Sequence, residues 1–166
     1  MIRVDFDAHD VELLAAAMQA APEVVLEELQ PFMYAATLHM QSEVQDRTPT
    51  THGTLRASII GDVRVLPGFA IEGVVGTSLA YAVPVELGSA PHMPPIEPLV
   101  EWAKQKLGVR GKEAESAAWG VARAIAQRGT LGVGMFNRAL AANRRELLEQ
   151  FSSAVRRIAN RIGIQR

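Results

Sequence analysis

Side chains able to do acid–base or metal chemistry are few and scattered in this chain of 166 residues. Histidines stand at His9, His39, His52 and His92, with no i,i+4 pair and no HExxH spacing, so no two share a helix face as zinc ligands would. His39 reads as a surface or partly buried helix residue, and His52 and His92 lie in polar loops without an acidic cluster beside them. Glu97 and Glu101 are spaced for one helix face, but Pro98 intervenes, and an acid–base pair needs a pocket to separate its pKa values. The glycine-rich GTLGVG at 129–134 lacks the lysine of a phosphate loop and follows a helical stretch, not a strand, so it reads as a flexible turn between helices. No GxSxG is present, and the absence of cysteine removes disulfides, thiol catalysis and thiolate metal ligands together. Trp102 and Trp119 sit on helical apolar faces and read as core. Nothing here argues for an enzyme, and no metal or cofactor is expected.

The elements around these residues suit one α+β domain over 1–166: a small antiparallel sheet with a β-hairpin packed against long amphipathic helices. Ile2, Val4 and Phe6 alternate with polar residues as in a half-buried strand, and Asp7 or Asp10 can cap the short helix that follows. Val25, Leu29, Phe32 or Met33, Ala36, Met40 and Val44 step by three and four, predicting a long helix from Pro22 to about Asp46, kinked or split near Gln30 by Pro31. Residues 58–66 and 69–75 alternate on either side of Pro67-Gly68, predicting a hairpin with a bulge at Gly61. Residues 79–87 suit a short helix or a strand. Helices are expected from Pro98 to Leu107, from Ala114 to Arg128, and at 136–162, where Leu147, Phe151, Val155, Ile158 and Ile162 form a core face.

Between hairpin and helices lies YAVPVELGSAPHMPPIEP (81–98), which holds five of the nine prolines. Proline fixes φ and lacks an N–H, so an extended proline-rich loop or arm is expected there. Its apolar teeth, Val83, Val85, Leu87, Met93 and Ile96, suit docking on a neighbouring copy; a connector packed on its own domain is the alternative.

The net charge of −1 hides an asymmetry. Residues 1–50 carry nine acids against Arg3 and Arg47, and residues 138–166 carry seven arginines against Glu146 and Glu149. The two ends can pair within one chain or between subunits of a head-to-tail ring, and charge counting does not choose. A nucleic-acid-binding module using the arginine-rich last helix is an alternative function, weakened by the acidic remainder. No run of about 18 apolar residues exists to span a membrane. The acidic start MIRVDFDAHD is no secretory signal, which fits a protein made in a cytoplasm.

Four passages in order carry a resemblance. RTPTTHGTLRASI (47–59), LAYAVPVELGSAPHMPP (79–95), VEWAKQKLGV (100–109) and AWGVARAIAQRGTLGVGMFNRAL (118–140) resemble the gene-product-ten-like tail-component or tail-completion proteins of long-tailed bacteriophages, related to the Z-like minor tail proteins. The likeness spans about residues 22–145. Ser89 stands where the family usually has threonine, and Thr51-His52 replaces a common Asp-Thr pair.

The resemblance implies a structural protein of the virion neck or tail, made in the host bacterial cytoplasm. It would act in tail completion or head–tail joining as a ring, hexameric by the usual symmetry, around the DNA channel. Implied partners are further copies of itself and neighbouring neck, tail-terminator or tail-tube proteins, with DNA nearby and no membrane. Gly53 would make the turn that aims Leu55 inward and Arg56 outward, and Arg56 would pair with Glu86, since both lie in matched passages. Tyr81 would anchor the arm, Gly88 would turn the backbone into the prolines, and His92, Met93, Pro94 and Pro95 would meet the next subunit. Arg156 and Arg157 would belong to the opposite contact.

Overall fold

A computed structural model describes residues 7–50, 53–68 and 70–163. The strand expected at Ile2–Phe6 therefore lies outside the described residues, as does His52. The class is α+β. Helices α1 (Ala8–Ala20) and α2 (Pro22–Arg47) come first, then α3 (Thr54–Ser58), the hairpin β1 (Ile60–Leu66) and β2 (Ala70–Gly76), and α4 (Ala82–Leu87). After these follow β3 (Gly88–Ser89), α5 (Ile96–Leu107), α6 (Lys112–Arg128), β4 (Thr130–Leu131) and α7 (Met135–Arg161). Two compact units emerge: one of Met1–Arg47, Ile59–Thr77 and Phe136–Arg166, the other of Thr48–Ser58 and Ser78–Met135.

In the first unit, Asp7 caps α1, its carboxylate accepting from the His9 N–H at 2.8 Å. Helix α2 is not split. Pro31 lies inside it on an exposed face, where the carbonyl that loses its N–H partner can turn to water. Ala17, Val25 and Ile158 form a buried seam of α1, α2 and α7, packed by Leu14, Met18, Leu29 and Ile162. Burying a side chain such as Val25 or Ile158 contributes about 1.5–3 kcal/mol.

Sequence periodicity correctly located the hairpin but not its details. Residues 54–58 are helical, so β1 begins at Ile60, and its register with β2 runs unbroken through Gly61↔Val75. The bulge expected at Gly61 is absent. Gly61 and Gly73 instead let the hairpin lie close on α2. A Cβ on Gly61 would come 2.7 Å from Thr37 Cγ2, and one on Gly73 would overlap Thr37 Oγ1. Gln41 and Gln45, one turn apart on α2, fasten the start of the hairpin: Gln41 Oε1 accepts from the Gly61 N–H at 2.7 Å, and Gln45 Nε2 donates to the Ile59 carbonyl at 2.9 Å.

In the second unit α5 packs on α6, and Ala103 of α5 and the stripe Ala114, Ala118 and Ala122 of α6 are all fully buried. This stripe corrects the expectation that Trp119 is core. Trp119 is 46% exposed, because Ala118 and Ala122 occupy the buried face of α6 and the next position turns about 100° away. Trp102 is half-buried. Gly108 ends α5 in the left-handed conformation, at φ 70.

Candidate functional site

The stretch 81–98 is not an extended arm. It holds the α4 helix, the β3 strand, a six-residue link at 90–95 and the first turn of α5. Pro84 and Pro98 each stand third in their helices, where the backbone N–H has no intrahelical acceptor to lose. These prolines are compatible with a helical first turn, so the segment folds back on its own unit.

It is held there by residues 129–134, which sequence reading left as a free turn. Thr130 and Leu131 pair antiparallel with Ser89 and Gly88. The Val133 N–H donates to the Val85 carbonyl at 2.8 Å, and the Gly134 N–H to the Glu86 carbonyl at 3.0 Å. The Ser89 N–H reaches Thr130 Oγ1 at 3.1 Å, and the two hydroxyl oxygens lie 2.9 Å apart. Three glycines permit the contact. A Cβ on Gly88 would overlap the Thr130 carbonyl oxygen, one on Gly129 the Ser89 carbonyl oxygen, and one on Gly132 the Glu86 carbonyl oxygen. Gly88 and Gly129 also have φ of 84 and 72, which disfavours side chains. The signal for this clasp was in the sequence, as glycines at 88, 129, 132 and 134, but nothing local says which backbone they admit.

Around the clasp the surface is apolar. Val83 is 60% exposed, Leu87 76% and Leu131 97%, with Tyr81 and Met93 about half exposed. Val85 and Ile96, by contrast, are half-buried. Glu86 is half-buried, and Gly88 turns the chain as expected while also meeting Thr130. His92 bonds its own link, Nδ1 lying 2.9 Å from the Ala90 carbonyl. Pro94 is half-buried and Pro95 precedes α5 as its cap. Gly53, at φ 76, makes the expected turn: Leu55 is buried and Arg56 exposed on α3.

Arg156 and Arg157 belong to the other unit. Arg157 Nε donates to Glu28 Oε2 at 3.2 Å, and Arg161 reaches Glu28 Oε1 and Glu27 Oε2, both at 2.9 Å. Hydrogen bonds from Arg161 and then Arg157 hold the Glu28 carboxyl below its ordinary range. The opposite-signed ends thus meet within one chain at these residues. Arg156 is exposed and its Nε donates to the Ser152 carbonyl at 3.2 Å.

A second polar group joins α2 and α7. Asn143, nearly buried, spends both amide hydrogens on Glu43 Oε2 at 2.6 Å and the Ala139 carbonyl at 2.8 Å. Its Oδ1 then accepts from His39 Nε2 at 2.9 Å, which requires the proton on that nitrogen. Asn143 first and Arg47 after it hold the Glu43 carboxyl below its ordinary range. Among the described residues no group of three potential metal ligands converges, and Glu101 is simply paired with Lys104 at 2.6 Å.

No described helix is long and apolar enough to cross a membrane. A comparison with protein-family models, with curated proteins and with solved structures finds no match to this chain.

Proposed function

We propose that this chain is a structural protein of a long-tailed bacteriophage virion, acting at the neck or the head-proximal end of the tail. It assembles as a ring, hexameric, that completes the tail or joins it to the head around the DNA channel. Its partners are its own copies and the neck, tail-terminator or tail-tube proteins above and below. The reading rests on the order of four sequence passages, and one structural observation supports it. Large apolar side chains stand exposed around the clasp, with Leu131 almost wholly bare. A monomer gains nothing from such a surface, whereas a subunit of a ring buries it.

The nucleic-acid alternative finds less support. Two of the last helix's arginines, Arg157 and Arg161, are spent on Glu27 and Glu28.

The purified protein is expected to run as a closed ring by native mass spectrometry. Phage made without it are expected to carry detached or incomplete tails by electron microscopy. Replacing Pro94 and Pro95 with glycine, which loosens the link before α5, is expected to weaken the ring while the fold persists. A stable monomer at high concentration, with normally attached tails on deleted phage, would overturn the reading.

A further inference from the structure

We propose that the open edge of β2 is the docking site for this chain's own residues 1–6, added as a third, antiparallel strand; the inference does not depend on the ring reading above. Among the described residues the hairpin is a two-stranded sheet, so each strand has one edge without a neighbouring strand. The two edges differ. Along β1 the Gly61 N–H turns to Gln41 and the Ile59 carbonyl to Gln45, so side chains of α2 close the start of that edge. These bonds also fix the parity of the ladder. Gly61 directs its polar groups away from β2, so its antiparallel partner Val75 directs its own away from β1. Alternation gives Gly73 and Ile71 the same direction. The N–H and carbonyl groups of these three residues thus face outward from β2, and the group that complements such an edge is another extended backbone.

The choice of occupant follows from where α1 begins. Helix α2 turns about 100° per residue, which orders its neighbours around it. Hairpin strand β2 meets it at Met33 and Thr37, and β1 is held at Gln41 and Gln45. Val25 and Leu29, in the seam with Ala17 of α1, lie on the other side of Met33, so the open edge of β2 looks towards the side that α1 occupies. The levels along α2 agree as well. Ala17 packs at Val25, whereas Asp10 accepts from Ser152 of α7, whose neighbour Phe151 meets Phe32 of α2 with ring centroids 6.0 Å apart. The start of α1 therefore lies near Phe32, and a Cβ on Gly73 would come 3.0 Å from the next residue, Met33. Continued backwards from Asp7, the line of α1 passes Met33 towards Gln45. That is the way β2 runs, from Gly73 at Met33 to Val75 opposite Gly61 at Gln41. Residues 6 to 1 follow this line in reverse order, which makes the pairing antiparallel. Six extended residues reach about 20 Å, and α2 rises about 18 Å from Met33 to Gln45. The side chains suit the place. Ile2, Val4 and Phe6 alternate with Arg3 and Asp5, giving one apolar face, and Met33, Ala36 and Met40 on this side of α2 are half-buried, an apolar floor for it to cover.

The test is hydrogen exchange resolved to single amides in the full chain, in a chain lacking residues 1–6 and in Val4→Pro, with folding checked by circular dichroism. Proline in mid-strand removes a ladder donor without shortening the chain, so this variant serves should the shortened one misfold. The amides of Ile71, Gly73 and Val75 are expected to exchange at least about tenfold faster in both variants than in the full chain. Those of Glu72 and Val74, directed at β1, are expected to stay protected in all three. Fast exchange of the three outward amides in the full chain overturns the docking. Protection that survives in both variants overturns the occupant, and its loss on dilution then identifies a second copy in that place. Either result leaves the ring reading standing, whereas a monomeric full chain with these amides protected overturns the ring and upholds the docking.

Discussion

Gly129 and Ser89 meet backbone to backbone: a Cβ on Gly129 would overlap the Ser89 carbonyl oxygen and lie 3.0 Å from the Ala90 carbonyl carbon. Gly129→Ala combines this overlap with a left-handed φ, so a loss of about 2–4 kcal/mol is expected. Gly53→Ala is the control for conformation alone, because its φ is 76 and nothing lies within 4 Å; about 1 kcal/mol should be lost there. Gly120→Ala, in the open on α6, should gain about 0.5–1 kcal/mol. Urea unfolding of the three variants checks the ranking.

The hairpin depends on Gly73 in the same way, but its neighbour is a side chain and can be trimmed. A Cβ at Gly73 would overlap Thr37 Oγ1 and come 3.0 Å from Met33 Cε. Gly73→Ala is expected to cost about 1–3 kcal/mol. Combined with Thr37→Ala the cost should shrink, giving a coupling of at least about 0.5 kcal/mol in a double-mutant cycle.

Asn143 donates to Glu43 at 2.6 Å, so Asn143→Asp keeps the acceptor for His39 and turns the donor into a like charge. About 1–3 kcal/mol of stability should be lost at neutral pH. The facing carboxyls then hold their protons to higher pH in the folded chain than in the unfolded one. The deficit relative to wild type should therefore narrow as pH falls towards the carboxylate range. Denaturant midpoints measured from pH 7 down to pH 4 test this.

Glu28 titrates with the opposite sign. Its folded pKa lies below the ordinary value of 4.5, chiefly through hydrogen bonds from Arg161 and Arg157. Its stabilisation is complete above about pH 4.5 and is lost as pH falls through the lower folded value. Glu28→Gln should consequently unfold with a shallower pH dependence below about pH 5 than the wild type, and thermal melts across that range measure the slope.

Much of the secondary structure was legible because it is local. Helix α7 was expected at 136–162 and runs Met135–Arg161, since its apolar side chains repeat at helical spacing over seven turns. Pro67-Gly68 marked the hairpin turn, and of the two caps the sequence offered for α1, Asp7 and Asp10, the structure takes Asp7. Errors arose where one residue type has two local meanings. The five prolines of 81–98 together read as an extended arm, yet Pro84 and Pro98 stand in the first turns of α4 and α5, where a helix gives up nothing to proline. Trp119 read as core by its size, yet the alanines beside it already occupy the buried face of α6.

Sequence by itself determined the long helices, where the hairpin turns, and that the two ends carry opposite charge, because propensity, spacing and charge belong to neighbours along the chain. Only tertiary structure decided that residues 86–89 close on 129–134, some 41 positions away, and that Leu131 is left bare while Arg157 is spent on Glu28. A glycine states that a backbone can approach, not which one; that partner is chosen by the packing of the helices between them.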